Sequence, residues 1–151
     1  LDVTIQAKVI ELLHDLKEKF NTSLILITHN LGIVAETSDR VGVMYAGRVV
    51  EVADKYTLFK RPLHPYTQGL LASVPKITEK KDMLDFIAGS VPNLVRPPSG
   101  CRFHPRCPYA TDICKEKIPQ IELVEGEGHY VECWNIEEVI KDLDADKEAC
   151  E

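Results

Sequence analysis

Leu24-Ile25-Leu26-Ile27-Thr28-His29-Asn30 is an apolar run that ends in a histidine. Ten residues on, Arg40-Val41-Gly42-Val43-Met44-Tyr45 forms a second run, followed by Ala46-Gly47 and Arg48-Val49-Val50-Glu51. Runs of this length, bounded by polar residues and too short for a full helix, predict strands buried on both faces of a parallel sheet. Ligands of open parallel sheets sit beyond the carboxyl ends of the strands. His29 is placed at such an end, which makes it a candidate for a phosphate or substrate site. The plainer reading is a capping or hydrogen-bonded histidine.

Working outward, residues 1 to about 60 follow an α/β rhythm. Asp2 is placed to cap a helix whose apolar positions, Ile5, Val9, Leu12, Leu13, Leu16 and Phe20, share one face. Asn21-Thr22 ends that helix and leads into the 23–28 strand. Residues 31–36 read as a short helix returning to the 40–45 strand. Gly47 supplies the positive backbone angle of a tight turn, so 48–52 is expected to pair antiparallel with 40–45. Asp54 starts another short helix. Between Pro62 and Ser99, Pro62, Pro65, Pro75, Pro92, Pro97 and Pro98 remove backbone donors and block long elements. One helix survives there, with Pro65 in its first turn and Tyr66, Leu70, Leu71 and Val74 on a face. Asn135 and Glu138 form a capping-box pattern ahead of Ile136, Val139, Ile140 and Leu143, which predicts a final helix before a charged, fraying tail.

At 151 residues the chain has room for one domain, or for a partial domain and a small module. Its net charge of −6 argues against bulk attraction to nucleic acid. No apolar run is long enough to span a membrane, and the first residues carry no export-signal pattern, which predicts a chain that works in the cytosol.

Four of the five cysteines, Cys101, Cys107, Cys114 and Cys133, lie at intervals of five, six and eighteen residues. Disulfides are rare in a reducing compartment. A zinc–thiolate site draws its sulfurs to about 3.8 Å apart and usually recruits them from C-x2-4-C knuckles, which are absent here. An iron–sulfur cube has a larger perimeter that suits wide loops, although this spacing is not a ferredoxin pattern. Gly100, Pro105 and Pro108 would stiffen such loops and permit close backbone approach. Spacing alone therefore leaves iron–sulfur, zinc and plain buried or disulfide cysteine open. Arg102, His104, Arg106, Lys115 and Lys117, with Phe103 and Tyr109 interleaved, have the look of a nucleic-acid patch. The overall acidity favours counter-charge around thiolates instead. His64, His104 and His129 read as structural or supporting residues, because four thiolates complete a site. His14 reads as solvated and Cys150 as a bystander thiol.

The order Leu1-Asp2, helix, Thr28-His29, Ser38-Asp39-Arg40-Val41, Met44-Tyr45-Ala46-Gly47-Arg48 resembles the second half of an ABC-transporter ATPase domain over residues 1 to about 60. Pro62-Leu63-His64-Pro65-Tyr66-Thr67, Gly69-Leu70-Leu71, the Gly89 to Pro92 stretch, Gly100 to Pro108, Cys114 and Val131-Glu132-Cys133-Trp134 are similar to the C-terminal extension of oligopeptide and dipeptide importer ATPases. The resemblance implies an α/β fold: a partial P-loop ATPase core with parallel strands and an antiparallel hairpin (1–60), a proline-rich connection with one helix (61–99), and a small irregular cysteine-rich module (100–151). It implies that His29 is the switch histidine at the γ-phosphate of ATP and that Asp2 lies at the interface between two ATPase subunits. It further implies that Cys101, Cys107, Cys114 and Cys133 ligate a 4Fe-4S cluster, with zinc as the alternative. The implied partners are a second ATPase subunit, transmembrane permease subunits at the cytoplasmic face of the membrane and, indirectly, a peptide-binding protein. No G-x-x-x-x-G-K-S/T loop occurs, and no acidic strand end precedes Leu1, so the elements that hold the ATP phosphates and magnesium are missing from these residues. The chain is thus expected to be the trailing part of a longer subunit, inactive by itself and prone to associate through uncovered strands. A freestanding module that binds a cluster or zinc without catalysis is the alternative.

Overall fold

Four antiparallel strands carry the larger part of the chain. The computed structural model describes residues 3–74 and 87–148, in two units, Leu1–Ser38 and Asp39–Glu151. The expectations for Asp2, Pro75 and Cys150 fall outside the described residues.

In the first unit, α1 (Val3–Phe20) and α2 (Leu31–Thr37) flank residues 22–28. The expected stripe forms on α1, with Ile5, Val9, Leu12, Leu16 and Phe20 exposed. Asn30 caps α2, its side-chain oxygen accepting from the Gly32 and Ile33 amides at 3.0 and 3.4 Å. The expected parallel strand at 23–28 is not found. These residues pair with nothing among the described residues, and Ile25 and Ile27 are 88% and 94% exposed. An apolar run becomes a buried strand only where neighbouring strands and helices are there to cover it.

In the second unit, β1 (Arg40–Tyr45) and β2 (Arg48–Asp54) form the expected hairpin. Ala46 and Gly47 both have positive φ, 48° and 80°, as a primed two-residue turn requires. The strand β1 is not buried on both faces. Val41, Val43 and Tyr45 point inward while Arg40, Gly42 and Met44 are exposed, the alternation of a one-sided antiparallel sheet. β3 (Glu122–Glu125) and β4 (His129–Val131) complete the sheet in the order β1-β2-β4-β3. Thus β2, the hairpin strand, pairs directly with the strand that precedes Cys133.

The helices start where local chemistry puts them. Asp54 caps α3 (Lys55–Lys60) by accepting from the Thr57 amide at 3.1 Å. His64 caps α4 (Pro65–Ala72), with Pro65 at its first position. The buried side of α4 is Pro65 and Thr67, and Val74 is exposed beyond its end, unlike the face read from spacing. Arg61 joins Glu125 of β3 at 2.9 Å to Asp144 of α6 (Ile136–Glu148) at 2.7 Å.

A buried carboxylate knits these pieces together. Glu51 of β2 is 0% exposed. Its carboxylate accepts from the Leu63 amide at 2.7 Å, the His64 amide at 3.0 Å and His129 Nε2 of β4 at 2.7 Å. His64, beside it, accepts from the Tyr66 amide through Nδ1 at 3.1 Å, so its proton lies on Nε2, which donates to the Glu132 carbonyl. Burial lowers the His64 pKa from 6.5 to about 4, because protonation would charge a dry site and set N–H against N–H. The folded pKa lies below the unfolded one. This contribution to stability is therefore complete above pH 6.5 and lost as pH falls toward 4, at about 1.4 kcal/mol per unit and ~3 kcal/mol in all. Denaturant unfolding at pH 7, 5.5 and 4.5 should show that loss. His64→Asn, which keeps an N-cap acceptor and does not titrate, should flatten it, and an equally steep decline in the variant contradicts the assignment.

Candidate functional site

The four cysteines come from four different local structures. Cys101 follows Gly100, and its amide donates to the Cys114 carbonyl at 2.8 Å. A single 3-10 turn, His104–Arg106, then delivers Cys107. Cys114 lies on α5 (Asp112–Glu116), and Cys133 follows β4. Gly100 has φ of 65°, and a Cβ there would lie 2.3 Å from the Cys114 carbonyl oxygen. Only glycine lets the two backbones meet this closely.

All four thiols are free. Each lies close enough to the other three to sense their charge. Cys114 is buried, at 6% exposure, and the others are partly covered. Burial pushes the Cys101 thiol up, Cys107 up to about 11 and Cys133 up to about 12, and the neighbouring sulfurs add to the effect. Main-chain N–H groups oppose it: Phe103 and His104 donate to Cys101, Tyr109 to Cys107 and Asn135 to Cys133. In each of these three cases a donor is the residue two positions on, the pattern of a turn wrapped around a sulfur. The Cys101, Cys107 and Cys133 thiols therefore keep their protons near neutral pH, but donors stand ready for the anionic form.

Among the described residues, no three His, Cys, Asp or Glu side chains are disposed to hold a metal ion. Neither zinc nor a cluster is thus preformed here. The donor set itself, soft thiols with N–H groups aimed at sulfur, suits iron–sulfur or zinc ligation chemically. A cavity of about 690 Å³ runs past Cys133, Trp134 and the first turn of α6.

Phe103, two residues after Cys101, is buried against Tyr45 of β1 and Tyr66 of α4, with ring centroids 5.2 and 5.5 Å away. Burying a ring of this size stabilises the fold by about 2–3 kcal/mol. The expected counter-charge role for the basic residues is not what their guanidiniums do. Arg102 donates to the Ala46 carbonyl in the hairpin turn, and Arg106 donates to the Ala88 and Ile87 carbonyls at 2.8 and 2.7 Å. They clamp the cysteine segment to its surroundings. His104 Nδ1 lies 2.8 Å from the Cys101 carbonyl, and Lys115 pairs with Asp112 at 2.8 Å.

His29 is exposed in the first unit, between Thr28 and the α2 cap Asn30. His14 is also exposed. Two residues matter more than spacing indicated. Glu51 was legible only as an acid inside an otherwise apolar strand. Asn135 precedes α6 as expected, and its carbonyl accepts from the Val139 amide at 3.2 Å. Its side chain, however, turns toward the cysteines instead of closing a capping box.

Residues 50–114 match the family described as "Oligopeptide/dipeptide transporter, C-terminal region". Over 138 residues, 91% of the chain, it is 55% identical to the oligopeptide transport ATP-binding protein AppD of Bacillus subtilis, spanning 42% of that protein. Over 133 residues, 88% of the chain, it is 47% identical to the dipeptide transport ATP-binding protein DppD of Escherichia coli, spanning 40% of it. The chain therefore spans about two fifths of the length of these relatives. Among the described residues, no helix is long and apolar enough to cross a membrane.

Proposed function

We propose that this chain, which matches the oligopeptide/dipeptide transporter C-terminal region over residues 50–114 and is similar to transport ATP-binding proteins, serves in the ATP-binding subunit of a peptide importer and that Cys101, Cys107, Cys114 and Cys133 hold a 4Fe-4S cluster. The cluster reading is carried by one observation. Four free thiols, within reach of one another's charge and supplied with N–H donors, lie in or beside the family-matched segment.

When bound, such a cluster supplies four iron–thiolate bonds, a covalent staple across a proline-rich segment with a thin core. This chain's residues do the rest. The thiols give up their protons on loading. The N–H groups of Phe103, Tyr109 and Asn135 stabilise the resulting thiolates of Cys101, Cys107 and Cys133, and burial shields Cys114 from water.

In the whole subunit, His29 orients the terminal phosphate of ATP and the attacking water, while Asp2 faces a second ATPase subunit. The phosphate-cradling loop and the magnesium carboxylate come from outside these residues. The assembled pair acts at the cytoplasmic face of the membrane on permease subunits, which receive peptide from a binding protein.

Anaerobic purification followed by metal analysis and a visible spectrum tests the cluster. Iron and sulfide with a broad violet absorption are expected, lost on replacing any of the four cysteines by serine and kept in Cys150→Ser. Zinc without colour, or no metal at all, overturns the cluster reading.

A further inference from the structure

The cavity beside the start of α6 combines an aromatic wall with an excess of carboxylates. It holds about 690 Å³ between the lead-in to β3 and the first two turns of α6. Trp134, the chain's single tryptophan, forms part of its wall. The indole Nε1 donates to the Lys117 carbonyl at 3.0 Å, which fixes the ring, yet the residue stays 38% exposed. A ring whose polar atom is already satisfied offers a partner only its apolar body and its electron-rich face.

Glu122, Glu137, Glu138 and Asp142 line the same cavity, against one cation, Lys141. Among the described residues, none of these four acids takes part in an ion pair. By contrast, Asp112 pairs with Lys115, Glu125 and Asp144 pair with Arg61, and Glu132 pairs with Arg48. Glu137 and Glu138 have an ordinary use, since acids in the first turn of α6 offset the helix dipole. Glu122 on β3 and Asp142 in the second turn of α6 have no such use, and they add negative charge from two different elements.

We propose that this cavity is a docking site for an arginine-bearing segment of a partner protein. Among side chains, only guanidinium both stacks flat on an indole and binds carboxylates through two parallel hydrogen bonds. Charge selects the class of partner. The cavity's net of three negative charges (four carboxylates less one ammonium) repels nucleic acid and anionic lipid alike, and it draws in cations. Docking there does not depend on what the four cysteines hold.

Because Trp134 is the only tryptophan, its fluorescence reports on the site directly. The test titrates the full chain with the peptide Arg-Gly-Arg-Gly-Arg and, separately, with Glu-Gly-Glu-Gly-Glu. The arginine peptide should give a saturable change that weakens as salt is raised, and the glutamate peptide none. Glu122→Gln together with Asp142→Asn should weaken binding about tenfold. Glu11→Gln together with Glu18→Gln, at exposed acids of α1, removes the same charge elsewhere and should leave the affinity unchanged. The site is overturned if the arginine peptide gives no saturable change, or if both peptides give the same one. Equal weakening by the two pairs of substitutions also overturns it, since that is diffuse attraction to an acidic chain. Should the first pair not fold, Trp134→Leu decides through the anisotropy of a labelled arginine peptide: about fivefold weaker binding is expected, and parental affinity overturns the site.

Discussion

Gly100→Ala should destabilise the second unit by about 3–5 kcal/mol and disperse the cysteines. Two costs combine. The backbone at φ of 65° is left-handed, which charges any side chain about 1 kcal/mol. The larger cost is steric: the new methyl would lie 2.3 Å from the Cys114 carbonyl oxygen and 2.8 and 2.9 Å from the Lys115 carbonyl carbon and oxygen. All three are main-chain atoms, so no side chain can swing aside. Relief requires the 100–101 backbone to part from α5, breaking the Cys101–Cys114 main-chain hydrogen bond. Gly126→Ala is the matched control, since φ there is also positive, 54°, and nothing lies within 4 Å of its Cβ. Denaturant unfolding should put the control near 1 kcal/mol. Equal losses in the two variants would show that the close approach at Gly100 is not what matters.

Glu51→Ala is the second large effect, with an expected loss of about 4 kcal/mol. The substitution leaves the Leu63 and His64 amides and His129 Nε2 without their acceptor inside the fold. Among the described residues His129 Nδ1 already has no partner, so that ring would lose its last hydrogen bond to them. Glu51→Gln should recover only part of the loss, because its NH2 group faces donors. Hydrogen exchange gives the local readout: the Leu63 and His64 amides should open first, and with them the cap of α4. A Glu51→Gln protein within about 0.5 kcal/mol of the parent, with those amides still protected, would remove the carboxylate from its central place.

These two positions differ in how far they could be read in advance. A glycine before Cys101 was legible as a site of close approach, but not what it approaches, because Cys114 is distant along the chain. Glu51 showed only as an acid in an apolar strand, and its three donors come from the proline-rich segment and from β4. The helix starts at Leu31, Asp54 and Pro65 and the turn at Ala46-Gly47 were legible, since each depends on a few neighbouring residues. The run at 24–27 misled for the opposite reason: burial depends on what lies alongside it.

What the amino-acid order determined alone is therefore local and chemical: the hairpin, the caps, the family likeness and which four thiols to watch. Hydrogen bonds spanning two to four residues and the softness of sulfur need no distant partner to be recognised. Tertiary structure alone decided that β2 and β4 pair, that Glu51 becomes a hub, and that Asn135 turns from its helix toward Cys114. Each of those joins groups far apart in sequence, and only chain folding selects such contacts among the many that composition would allow.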